Sequence, residues 1–187
     1  MLPHKVVTIG DMGVGKTSII SSISGEGFNP DVLSTIGASY IQCAFPVEGS
    51  SVTLNIWDTA GQERFHSLIP LYMRNADACI IVIDVTKSNW EEVLERIYEN
   101  LKDGPDQPKY SILCANKMDL MPENFLTTDF EKWAEKNKMD FISTSAKTGM
   151  NIDVLFDIVA RNVCDIGASE IIPNEESDSK SSGGCCK

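Results

Sequence analysis

Apolar runs of strand length alternate with helix-spaced apolar positions along most of the chain. Val6-Val7-Thr8-Ile9 reads as a buried strand, and Ser18-Ile19-Ile20-Ser21 as the start of a helix. Ser39-Tyr40-Ile41-Gln42-Cys43-Ala44-Phe45 and Val52-Thr53-Leu54-Asn55-Ile56-Trp57 alternate polar with apolar, and Glu48-Gly49-Ser50-Ser51 between them reads as a hairpin turn. Ala78 to Ile83 and Tyr110 to Ala115 are continuous apolar runs, as strands covered on both faces should be. Phe141-Ile142 begins a last short strand. Trp90, Val93, Leu94, Ile97 and Leu101 share one helical face, and so do Ile152, Leu155, Phe156, Val159 and Val163. The run from Asp103 to Pro108 breaks helix from strand. The fold class is therefore α/β: a six-stranded, mostly parallel sheet with one antiparallel edge strand and helices on both faces, three layers in all. Ligands of such sheets bind beyond the carboxyl ends of the strands. Past Asp165 the pattern stops, so residues 1–165 are expected to form one domain and residues 166–187 a disordered tether.

Between the first strand and its helix lies Gly10-Asp11-Met12-Gly13-Val14-Gly15-Lys16-Thr17. Its glycines let successive N–H groups turn inward around an anion, and the helix N-terminus at Ser18 adds to that field. Lys16 can reach β- and γ-phosphates, and the Thr17 hydroxyl can ligate Mg²⁺. A Gly-rich turn with an exposed lysine would lack the flanking strand and helix.

Other strand ends carry matching chemistry. Asp58-Thr59-Ala60-Gly61-Gln62 places a carboxylate where it can hold the Mg²⁺ shell opposite Thr17. Gly61 leaves its N–H free to approach a γ-phosphate, and Gln62 is placed to orient a water. Thr35 can complete the metal shell. Asn116-Lys117-Met118-Asp119 ends a buried strand, and an acceptor-only aspartate suits the N1–H and exocyclic amine of guanine. Adenine would leave that carboxylate unpaired, at a cost of about 1–3 kcal/mol or more. Ser145-Ala146-Lys147 can back the base from the other side, and Phe28 can stack on its open edge.

Composition narrows this further. A chain of 187 residues with 42% hydrophobic content can bury a full core, and its formal charge of −11 argues against a general nucleic-acid binder. The start of the chain passes from Met1-Leu2-Pro3-His4-Lys5 directly into the first strand, without the apolar stretch of a signal peptide. Of six cysteines, Cys43, Cys79, Cys114 and Cys164 sit singly in apolar segments, as small core residues of a reduced, cytosolic protein. Cys185 and Cys186 stand together, followed only by Lys187.

These motifs, in this order, resemble the Ras superfamily of small GTPases, with its P-loop GTPase fold, from about Lys5 to Cys164. Ile36-Gly37-Ala38-Ser39-Tyr40, Arg64-Phe65-His66-Ser67-Leu68 and Tyr72-Met73-Arg74-Asn75-Ala76 are similar to the Rab branch, and Thr35-Ile36-Gly37-Ala38-Ser39 is most similar to the early-endosomal Rabs. The resemblance implies GTP hydrolysed to GDP with Mg²⁺, and two loops, around Thr35 and from Gly61 to Tyr72, that switch with the nucleotide. It implies an effector surface of Ile36, Tyr40, Trp57, Phe65 and Tyr72, with Tyr40 where phenylalanine is usual. It implies an exchange factor, a GTPase-activating protein, effectors, and escort and GDP-dissociation-inhibitor proteins, all acting on a monomer. The Cys185-Cys186 ending resembles doubly geranylgeranylated Rab tails and implies residence on the cytosolic face of intracellular, endosomal membranes, cycling with cytosol. Two lipid chains are what stable anchoring needs, and Glu170, Glu175, Glu176 and Asp178 against Lys180 and Lys187 leave no polybasic patch to help.

Two rival readings differ in kind. A P-loop ATPase or small-molecule kinase would share the first motif but leave Asp119, Lys147 and the tail without purpose. A GTP-binding scaffold with impaired hydrolysis is suggested by Met12, which lies where the loop passes the γ-phosphate. Either Met12 obstructs the water and Gln62 there, or its flexible chain points into solvent.

Overall fold

The computed structural model describes residues 2–30, 35, 37–61, 68–102 and 106–170. Strands β1 (His4–Ile9), β2 (Ala38–Val47), β3 (Ser50–Thr59), β4 (Ala78–Asp84), β5 (Tyr110–Asn116) and β6 (Asp140–Ser143) alternate with helices α1 (Lys16–Ile23), α2 (Ile69–Met73), α3 (Trp90–Lys102), α4 (Thr128–Lys136) and α5 (Ile152–Glu170). The six strands form one sheet in the order β2-β3-β1-β4-β5-β6. Edge strand β2 is antiparallel to β3, and every other pairing is parallel.

The period-2 alternation of side chains divides the core between the two faces. Val6, Ile80 and Val82 pack with Ile19, Leu155, Phe156 and Val159 of α1 and α5. Val7, Cys79, Ile81 and Ile83 pack with Met73, Leu94, Ile97 and Trp133 of α2, α3 and α4. All seven residues of β4 are buried, which accounts for its unbroken apolar run.

Three details differ from expectation. The hairpin turn is tighter: Val47 pairs with Ser50 and Pro46 with Ser51, leaving Glu48 and Gly49, both at positive φ, as a two-residue turn. Helices α2 and α4 have too few apolar positions to stand out as periodic segments. Helix α5 continues past Asp165 to Glu170. Apolar periodicity marks where a helix is buried, and says little about where its backbone hydrogen bonds stop.

Cys43, Cys79, Cys114 and Cys164 are free; Cys43 and Cys164 are only partly buried against the core, whereas Cys79 and Cys114 are fully buried. Burial pushes both thiols up, Cys114 to about 12, so neither is a nucleophile at neutral pH. Among the described residues no helix is long and apolar enough to cross a membrane.

Candidate functional site: a cleft at the carboxyl ends of the strands

The loop from β1 to α1, the end of β3 and the loop after β5 meet around a cleft of about 270 Å³. Helix α1 starts without a side-chain cap or an acidic residue in its first turn, so its orphan N–H groups remain available to an anion. Gly15, ahead of it, is left-handed at φ 100°, and a Cβ there would meet Asn116 Nδ2 at 2.4 Å. Backbone geometry and close approach both require glycine at that point.

Lys16 is buried and donates from Nζ to the carbonyls of Gly10 (2.8 Å) and Asp11 (2.9 Å). Burial brings its ammonium down to about 8, against the opposing pull of Asp58 and Asp11. Gly61 lies directly over it, since a Cβ at Gly61 would stand 2.4 Å from Lys16 Nζ and 2.5 Å from the Asp11 carbonyl.

Beside Lys16, three segments distant in sequence converge. Thr17 donates its hydroxyl to Asp58 Oδ2 at 2.7 Å, Thr35 does so at 3.1 Å, and the two hydroxyls lie 3.0 Å apart. Burial raises the Asp58 carboxyl, while the two threonine bonds and Lys16 pull it back. Its second oxygen, Oδ1, is buried without a hydrogen-bond partner among the described residues. Two hydroxyls and a carboxylate with an orphaned oxygen form a hard-oxygen corner that fits Mg²⁺.

The other end of the cleft is built from β5 and β6. Asn116 is buried and donates to the Val14 carbonyl at 2.9 Å, while its Oδ1 accepts from Ala146 N–H at 3.0 Å and Thr144 Oγ1 at 3.2 Å. One side chain therefore joins the phosphate loop to the loop after β6. Asp119 accepts from Ser145 Oγ at 2.6 Å, with Lys147 Nζ 3.9 Å from its other oxygen. Lys117, left-handed at φ 73°, lines the cleft and donates to Asp84 Oδ2 at 2.7 Å. Gly13, Ser18 and Phe28 also line it, Phe28 being 42% exposed.

The structure brings Lys16, Thr17, Thr35, Asp58, Gly61, Asn116, Lys117, Asp119, Ser145, Ala146 and Lys147 to this end of the sheet. The Val14 side chain is buried in the core, and the Ala146 N–H donates to Asn116 Oδ1. Gln62, Ile36, Phe65, Cys185 and Cys186 lie outside the described residues. On the outer surface Tyr40 pairs across strands with Trp57 and stacks on it at 5.4 Å, with Lys5 Nζ 5.2 Å from the indole. Trp57 and Tyr72 pack against the same core cluster.

Sequence reasoning missed Asp84, Thr144 and Arg96, which ion-pairs with Asp11 at 2.8 Å. Asp84 carried a usable signal, a carboxylate ending a fully apolar strand. Arg96 carried none, since a helix-surface arginine shows nothing of its partner.

A model of the Ras family matches residues 5–165. Ras-related protein RABF2b of Arabidopsis thaliana is 35% identical over 188 residues, 97% of this chain and 94% of its own. Ras-related protein rab-11.1 of Caenorhabditis elegans is 40% identical over 153 residues, 81% of this chain and 72% of its own. Ras-related protein Rab7 of Drosophila melanogaster is 34% identical over 179 residues, 93% and 86% of the two chains. With the six-stranded sheet and the cleft at its carboxyl edge, these similarities place the chain in the Ras family, as a GTP-hydrolysing small GTPase of the Rab branch that acts in membrane trafficking.

Proposed function

We propose that this chain is a nucleotide-timed switch whose GTP-bound form recruits effectors through the surface around Tyr40, Trp57 and Tyr72. In this reading the phosphates lie against the loop from Gly13 to Ser18, and guanine lies between Phe28, Lys117 and Asp119, backed by the segment Ser145 to Lys147. Thr17, Thr35 and Asp58 would hold Mg²⁺. When bound, the ion neutralises charge on the phosphate oxygens. Lys16 turns from its loop carbonyls to the β- and γ-phosphates, and Gln62 is assigned to orient the attacking water. No nucleophilic side chain is required, because positioning and charge carry the reaction.

The observation that carries the switch is Thr35. It belongs to the loop before β2, yet its hydroxyl bonds to Asp58 and lies beside Thr17. A residue ahead of β2 is thus brought to the metal corner, where a bound metal and γ-phosphate would hold it and loss of that phosphate would release it. The reading extends to an exchange factor, an activating protein, escort and GDP-dissociation-inhibitor proteins, a monomeric state, prenylation at Cys185 and Cys186, and the cytosolic face of endosomal membranes. The early-endosomal assignment is supported by the segment Thr35 to Ser39 alone.

Nucleotide extracted from the purified full-length protein should be guanine nucleotide at about one per chain, released faster when Mg²⁺ is chelated. Adenine nucleotide, or none, would contradict the reading. A second reading, a switch with slowed hydrolysis, is favoured by Met12, which lines the cleft beside Gly13.

A further inference from the structure

Asp84 ends β4, next to Asn116 of β5 in the parallel register. It is 4% exposed. Its Oδ1 accepts both the N–H and the hydroxyl of Thr86, at 3.0 and 2.7 Å, and its Oδ2 takes the Lys117 ammonium at 2.7 Å. Burial alone would raise this carboxyl, but Lys117 and Thr86 outweigh it and hold it below the usual carboxylate range. Thr86 orients the carboxylate, and the carboxylate draws the Lys117 head away toward β4. What Lys117 then presents along the cleft is its four-carbon stem, an apolar surface suited to the face of a flat heterocycle. A free lysine head would instead be pulled toward the phosphates and carry the stem with it.

We propose that Asp84 is a positioning residue for the bound guanine nucleotide: by anchoring the Lys117 ammonium it fixes the Lys117 stem as one wall of the base subsite. This rests on the guanine-nucleotide reading above. Asp84 touches no nucleotide in this account, and its effect runs wholly through Lys117. Because the pair is half-buried and charge-assisted, loss of the anchor should speed nucleotide release about tenfold to a hundredfold.

The test is release of a fluorescent GDP from full-length wild type, Asp84→Asn, Lys117→Met and the double variant. Lys117→Met keeps a stem of similar length and loses only the anchored charge. Each single variant should release GDP at least about tenfold faster, and the double variant no faster than Lys117→Met alone. A general loosening of the fold would make the two effects multiply. Release within twofold of wild type, slower release, or multiplying effects would each overturn the proposal. Should Asp84→Asn fail to fold, Lys117→Met decides alone by the same tenfold and twofold marks. The ratio of GDP to inosine-diphosphate release should stay within twofold in Asp84→Asn, since base selectivity belongs to Asp119, and a larger shift would overturn the positioning role. If wild type carries no guanine nucleotide, the functional reading fails; if it does and Asp84→Asn behaves as wild type, only this inference fails.

Discussion

At the base end of the cleft the buried polar side chains are committed to other parts of the protein, whereas at the phosphate end the buried carboxylate of Asp58 keeps an oxygen with no protein partner among the described residues. Asn116 joins three segments, and Asp119 is tied to Ser145 and Lys147. At the other end Lys16 bonds to two carbonyls of its own loop and Thr17 to Asp58, groups whose bonds a nucleotide and a metal would take over. The base end is preorganised by bonds between protein groups. The phosphate end holds provisional bonds, one of which reaches Thr35 on the outer loop. A switch needs both, because the nucleotide must stay while one phosphate changes the loops.

This contrast can be broken most severely at Asp119. If Asp119 takes two charge-assisted bonds from guanine as proposed, Asp119→Ala should weaken GDP binding about 10²- to 10⁴-fold. Titration with fluorescent GDP checks it, and a loss under tenfold would mean that the base is held elsewhere. Next comes a pair of substitutions, one at each end. Asn116→Ala strands the buried Val14 carbonyl and Ala146 N–H, and should cost about 2–4 kcal/mol of stability. Asp58→Asn removes a buried charge at an under-satisfied site and should cost less than about 1 kcal/mol, while abolishing the slowing of GDP release by Mg²⁺. Unfolding by denaturant with excess GDP and EDTA compares the two, and equal losses would erase the contrast.

Lys16 gives a smaller, pH-dependent effect. Its ammonium titrates near 8 in the described structure, and bound phosphate favours the charged form. Binding therefore takes up a proton above that pH, and GDP affinity should be flat below about 8 and fall by up to about tenfold per pH unit above it. Lys16→Arg, which does not deprotonate in this range, should flatten the fall even if it binds weakly. The smallest expected effect is at Met12. Met12→Ser should raise single-turnover GTP hydrolysis by up to about tenfold if methionine crowds the attacking water. Equal rates, with and without an activating protein, would place the methionine chain in solvent.

The sheet was legible because burial on both faces writes itself into sequence as unbroken runs, such as Ala78 to Ile83. The edge hairpin was legible from its alternation. Helix α4 was not, since nine residues with Phe130, Trp133 and Ala134 buried are too few to establish a period. The residue types of the site were legible from spacing, but their wiring was not. Asn116 reads as a base-contacting residue in its tetrapeptide, yet its bonds join it to Val14 and Ala146, far away in the chain. Asp84 and Arg96 also have partners far off in the chain, Lys117 and Asp11. Short motifs record what a ligand requires of the chain, and long-range pairing is settled only when the sheet brings strand ends together.

The most direct test of a fixed base end and a changeable phosphate end is hydrogen exchange, resolved to single amides, on full-length protein loaded with GDP or a non-hydrolysable GTP analogue. Exchange at Thr35, Gly37 and Gly61 should slow at least about tenfold with the analogue, while Asn116 to Asp119 and Ser145 to Lys147 keep the same protection in both states. Equal changes at both ends, or none at the phosphate end, would contradict the account.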